Sequence, residues 1–190
     1  GRWLVTRYGV QPTQLARGGA AEGDDVLVLN SEREILGTIG VSHLVEGRAR
    51  PDRLLSVGPA IWVSLNRVEA DVETWREGAI AVIRETEDGD LLASETLPIA
   101  GLTNCALMSL HEPHVAIACG GSYVGGEPSL ADSALIRLDE AGLETGRLLA
   151  MDPRAGGGFG AGLTHRTDGS VLAVVYGDVG GAPDKVIAWD

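Results

Sequence analysis

Three stretches of the chain carry side chains whose types and spacing could do chemistry. His111-Glu112-Pro113-His114 puts two imidazoles and a carboxylate, all zinc-ligand types, within one tetrapeptide. The histidines stand at i and i+3 across a two-residue turn, which splays the rings, and no helical His-Glu-x-x-His gathers them. An exposed turn without metal is the expectation. Glu85, Glu87, Asp88 and Asp90 suggest a calcium loop, but the Asp-x-Asp-x-Asp-Gly ladder with its distal Glu is missing. A hairpin turn accounts for Asp88-Gly89, so no cofactor is expected beyond adventitious calcium there. Gly156-Gly157-Gly158-Phe159-Gly160-Ala161-Gly162 looks like a phosphate cradle, yet it lacks the Gly-Lys-Ser/Thr ending and a following helix. These glycines fit a strand passing close to a crowded centre. No Gly-x-Ser-x-Gly elbow occurs, and Ser, His and Asp have no spacing that marks a triad, so no catalytic residue is assigned.

The two cysteines, Cys105 and Cys119, flank the turn at Glu112-Pro113. A three-residue turn centred on Glu112 puts them opposite one another, within disulfide reach on neighbouring strands. A disulfide and two buried thiols both fit; a one-residue slip turns the side chains to opposite faces. A disulfide would imply an oxidising compartment.

These residues must be positioned by a repeat. Four segments share an apolar-apolar-x-apolar-polar form: Val26 to Asn30, Ile80 to Arg84, Leu135 to Asp139 and Val186 to Asp190. Their last residues, 30, 84, 139 and 190, are spaced by 54, 55 and 51. A second strand family precedes each: Trp3 to Tyr8, Ile61 to Leu65, Val115 to Cys119 and Val171 to Tyr176. Adding Leu54 to Val57, Cys105 to Leu110 and Ala161 to His165 as strand A, and Ile35 to Ile39, Leu91 to Leu97 and Arg147 to Met151 as strand D, completes units of the form A-B-C-D. Glu87-Asp88-Gly89-Asp90 and Asp139-Glu140-Ala141-Gly142 supply tight C–D turns. No stretch sustains a helical period. Four antiparallel strands in a unit of about 40 to 55 residues describe a propeller blade. The expected fold is therefore an all-β β-propeller segment, with blades near 1–40, 41–99, 100–152 and 153–190.

The first unit lacks strand A and the last lacks strand D, leaving about three and a half blades. A propeller covers its edges by closing into a ring. The chain also opens and closes on strand-like sequence, so a piece of a larger ring, or a processed product, is expected.

Ala131 to Thr145, with Ala134-Leu135-Ile136-Arg137-Leu138 and Gly142-Leu143-Glu144-Thr145, resembles the delta-60 type of propeller repeat. Gly169-Ser170-Val171-Leu172-Ala173-Val174 resembles the opening of that repeat. Ser133 stands where the family usually has an aromatic, and Gly146-Arg147 replaces its Ser-Phe-Gly continuation. The resemblance is good in one unit, partial in the last and weak in the first two. It implies a bacterial protein, secreted, periplasmic or on the cell surface, without general enzymatic activity, and it transfers no catalytic residue.

In such a fold the A–B and C–D turns lie at one end and the B–C and D–A connections at the other. The second set is long: 10–24, 66–78, 123–132 and 177–184 are B–C loops, and 41–52 and 152–160 are D–A loops. Loops longer than the fold requires are where binding concentrates. There Trp75, in a polar setting, serves as a binding anchor or packs over the neighbouring unit, and Tyr123 has the same two roles. His43, Arg48, Arg50 and Arg53 cluster on an otherwise acidic chain, where they form a carboxylate or phosphate pocket or a solvated loop with local ion pairs.

The 190 residues make one ordinary domain, and the 44% hydrophobic content suits a folded core. Fifteen Lys and Arg against 27 Asp and Glu give a net charge of −12, the wrong field for a nucleic-acid binder. No apolar run approaches the ~20 residues of a membrane span, and no secretory leader opens the chain. The reading is a non-enzymatic binding or scaffold module acting through the long-loop face, with a protein or the remaining blades of a larger ring as partner. One rival is a lactonase-like or quinoprotein-type propeller enzyme, for which Arg53, Asn104 and Gly160 at the strand A starts offer thin support. The other is a structural subunit pairing through open strand edges.

Overall fold

A computed structural model of the chain describes residues 1–8, 23–69, 73–124, 127–177 and 181–190. Most of the 10–24 loop, and parts of the 66–78, 123–132 and 177–184 loops, lie outside the described residues. The described chain is all-β. In the first sheet, β1 (Trp3–Arg7), β2 (Asp25–Leu29) and β3 (Ile35–Gly40) are neighbours in that order. The second holds β4 (Pro51–Val57), β5 (Ala60–Leu65), β6 (Glu77–Glu85) and β7 (Leu91–Thr103). The third contains β8 (Cys105–His111) and β9 (His114–Gly120). After a separate small hairpin of β10 (Tyr123–Val124) and β11 (Glu127–Pro128), it adds β12 (Ser133–Asp139) and β13 (Glu144–Leu149). The fourth is β14 (Phe159–His165), β15 (Val171–Val175) and β16 (Lys185–Trp189). Every pairing is antiparallel and no sheet closes on itself. Among the described residues no helix is long and apolar enough to cross a membrane.

The sheets stack face to face in chain order. Strand alternation sends Trp62, Ile80 and Val82 to one side of the second sheet, and Val63, Leu65, Ala81 and Ile83 to the other. The first group meets Val115, Ile117 and Ile136 of the third sheet; the second meets Val26 and Ile39 of the first. The third sheet presents Ala116, Ala118 and Leu135 to Phe159, Val171, Ala173 and Trp189 of the fourth. The inner strands β5, β6, β9 and β12 are near-continuous apolar runs because both their faces are buried.

Among the described residues, the end sheets are apolar on both faces and covered on only one. Leu4, Val26 and Val28 point into the core of the first sheet, so their neighbours Trp3 and Val5 point away from it. Trp3 pairs with Leu29, which pairs with Ile35, and exposures of 60%, 43% and 65% for Trp3, Val5 and Ile35 mark an open apolar face. On the fourth sheet Leu172, Val174, Ala188 and Val186 (65% exposed) do the same.

Equivalent backbone bonds recur at even spacing. Asn66 N–H donates to Arg50 C=O at 3.0 Å, Gly120 to Asn104 at 3.0 Å, and Tyr176 to Gly158 at 2.9 Å. The acceptors 50, 104 and 158 are each 54 residues apart. The C–D turns close alike, through Gly89 (φ 83°) donating to Thr86 C=O and Gly142 (φ 82°) donating to Asp139 C=O.

Three features differ from the sequence expectation. Strand β7 runs to Thr103, well past Leu97, so Asn104 alone joins it to β8, in the left-handed region at φ 53°. Short side chains that bond their own backbone tolerate that conformation best after glycine. The hairpin β10–β11 and a short 3₁₀ turn at Ser42–Leu44 lie inside segments read as loops. The turn between β8 and β9 has two residues, with His111 paired to His114, so turn length does not align the cysteines. A bulge between Cys105 and Leu107 restores the register, and Cys105 faces Cys119 with Sγ atoms 2.08 Å apart as a disulfide.

That disulfide is buried against the second sheet, where Gly78 leaves room for it: a Cβ there would lie 2.6 Å from Cys105 Sγ. Gly78→Ala is expected to lower stability by about 1–3 kcal/mol through overpacking. Urea unfolding checks this, and an unchanged midpoint refutes it.

Candidate functional site

At the long-connection end, the loop after β5 folds back as a small excursion closed by a bridge between Val68 and Trp75. Glu69 N–H donates to Thr74 C=O, and Arg76 N–H to Arg67 C=O. The excursion is tied to the preceding connection through charge. Arg76 Nε donates to Glu69 Oε1 at 2.6 Å and its Nη1 lies 3.6 Å from Glu46 Oε2. Arg67 donates to the Glu77 and Glu46 carbonyls at 2.8 and 3.1 Å. Burial holds the Arg67 guanidinium below its usual range, with the Arg76 charge adding to the effect. Gly47 (φ 77°) permits this approach, because a Cβ there would fall on the Glu69 carboxylate.

Trp75 emerges from this excursion half-buried, with its ring centroid 5.9 Å from that of Tyr123 and tilted by 39°. Tyr123 belongs to β10 in the next unit and is 40% exposed, so the two rings bridge adjacent units. The indole Nε1 is buried without a hydrogen-bond partner.

A second cluster lies at the start of β4. Arg50, at φ 47°, donates its backbone N–H to Asp24 Oδ1 at 2.7 Å and its Nη2 to Glu69 C=O at 2.9 Å. Its guanidinium stands 5.4 Å over the Tyr8 ring, and its Nε has no partner. Asn66 Nδ2 donates to the Tyr8 hydroxyl at 2.9 Å, leaving Asn66 Oδ1 buried and unpartnered. Burial pushes the Tyr8 hydroxyl and the Asp24 carboxyl up, in each case against the pull of Arg50. Burial also raises Asp52, against the weaker pull of Arg53, whose Nε lies 3.4 Å from Asp52 Oδ1.

The residues singled out from sequence fall into separate places. Trp75 meets Tyr123, and Arg50 is linked to the Trp75 excursion through Glu69. Arg53 is exposed beside Asp52, and His43 is exposed on the 3₁₀ turn. Asn104 packs at the turn between β7 and β8, close to Gly120, where a Cβ would meet its Nδ2 at 2.8 Å. Sequence reasoning missed Tyr8, Asn66 and Glu69. Nothing in local pattern marks them, since a fold-back across some 58 residues brings Asn66 to Tyr8. In the connection between β13 and β14, Asp152 is held down to about 2 by its bonds from Arg154. No protein-family model matches the chain, and no curated protein matches its sequence.

The unfolded Asp52 titrates near the ordinary value of about 4 and the folded one higher. The folded state therefore binds its proton more tightly, and stability falls as pH rises from the ordinary value through the raised one. Asp52→Asn is expected to melt above the native protein at pH 7 and to lose that advantage on acidification. Melting curves across that range test the sign.

Proposed function

We propose that the chain is a set of β-propeller blades of the delta-60 kind, a non-enzymatic binding module working through its long-connection face. The observation that carries this is the meeting of Trp75 and Tyr123 across two units, one ring supported by an ion-pair lattice and the other 40% exposed. Rigid aromatics on a braced loop make low-entropy anchors, and the neighbouring Arg50 adds a cation with an unpartnered Nε. The repeated sheet order and 54-residue backbone spacing support the propeller reading. The disulfide supports an exported location, in the periplasm, outside the cell or on its surface, as the resemblance implies for a bacterial protein. A small-fragment screen read by protein NMR is the test. Hits are expected to shift the Trp75 and Tyr123 resonances and to be lost in Tyr123→Ala. Hits confined elsewhere would refute the reading.

A second reading, assembly into a larger ring, draws on the open apolar faces of the two end sheets. Such faces are covered in a stable protein, and sheets of the same repeat fit them best. The isolated chain is then expected to associate with rising concentration, and a variant with both Ile35→Lys and Val186→Lys to stay monomeric in sedimentation velocity. A native chain that is monomeric at high concentration refutes it.

A further inference from the structure

A pocket of about 530 Å³ opens at the short-turn end, between the third and fourth sheets and away from the aromatic pair. His111 and His114 line it from the β8–β9 turn, Arg137 from β12, and Asp168, Gly169 and Ser170 from the β14–β15 turn. His165 stands just behind, its ring centroid 5.7 Å from that of His111. Three of the four histidines of the chain, two from one turn and one some fifty residues on, thus converge on one arginine.

The cationic side is built and unsatisfied. The Arg137 guanidinium lies 4.7 Å over the Trp189 ring, which fixes its plane. No carboxylate pairs with it among the described residues, and its Nε is buried without a partner. His114 Nδ1 and His165 Nε2 are also buried and unpartnered, while Ser109 Oγ holds His165 Nδ1 at 3.0 Å. Of the three carboxylates at the pocket, Asp168 is engaged by its own turn. Its Oδ1 accepts from Ser170 N–H at 3.0 Å and from Ser170 Oγ at 2.6 Å, and Arg166 stands 3.5 Å from Oδ2. Glu112 and Asp190 are exposed and screened by solvent. Among the described residues, no three His, Cys, Asp or Glu are grouped to hold a metal ion. What remains unmet is the Arg137 Nε–H donor, beside two imidazole nitrogens that donate or accept according to tautomer; a buried donor without an acceptor is costly.

We propose that this pocket binds a small oxyanion, a phosphate or carboxylate group, held by Arg137 with His111 and His114 beside it. The site is independent of the long-connection face. The test is NMR titration of the whole chain at about pH 6 with inorganic phosphate and, separately, with succinate. Saturable shifts of the His111 and His114 imidazole signals are expected, with a dissociation constant on the order of 1 mM for at least one anion. Response to phosphate alone marks a phosphate site, and response to succinate alone a carboxylate site; both uphold the oxyanion chemistry. Arg137→Gln is expected to weaken binding at least about tenfold. His114→Gln, which leaves the Trp189 stack intact, is expected to weaken it too and serves if the first variant misfolds. The proposal is overturned if neither anion saturates, if both variants bind as the native chain does, or if zinc shifts these imidazoles and neither anion does.

Discussion

Alternation of apolar side chains across both faces of β5, β6, β9 and β12 is the constraint on which the rest depends. A strand with one polar face can end a stack, but a strand apolar on both faces needs a sheet on each side. The Trp62, Val63, Ser64, Leu65 run can be satisfied only by burial between two other sheets. The one polar member, Ser64, is matched: its Oγ accepts from Arg53 N–H at 3.0 Å and donates to Ala106 C=O at 2.8 Å. A core position between sheets thus carries a hydroxyl without an unmet bond.

This constraint explains why the all-β character and the strands themselves could be read from sequence. The repeated apolar-apolar-x-apolar-polar segments became β2, β6, β12 and β16, and the Asp-Gly and Ala-Gly turns closed where glycine supplied positive φ. Local pattern and tertiary need agree along these strands. It was less informative where tertiary contacts override spacing. Nothing between Leu97 and Thr103 says that β7 should continue, because Pro98 and Gly101 read as breakers. The register of the cysteines is set by a bulge rather than by the turn, and a bulge leaves no residue-type mark here.

The site residues were legible one at a time but not as groups. Trp75 and Tyr123 stood out because aromatics in polar loops are few in a chain with 4% aromatic content. Their contact depends on a bridge at Val68 and a two-stranded hairpin, neither of which has a strong propensity signal. Likewise His111 and His114 drew attention as a tetrapeptide, whereas His165 and Arg137 joined them only through packing of the third sheet on the fourth. Sequence proximity pointed to an exposed turn without metal; packing places Arg137 and His165 beside it.

The single-residue passage at Asn104 bears on how the molecule can deform. Between the first and second sheets the chain has ten residues, 41–50, in which to take up a rotation, and between the third and fourth it has nine, 150–158. Between the second and third it has one, with its carbonyl accepting from Gly120 N–H. With a buried disulfide beside that joint, the middle two sheets have the least connecting chain in which to take up a rotation. The outer joints, with ten and nine connecting residues, are where the stack has room to bend.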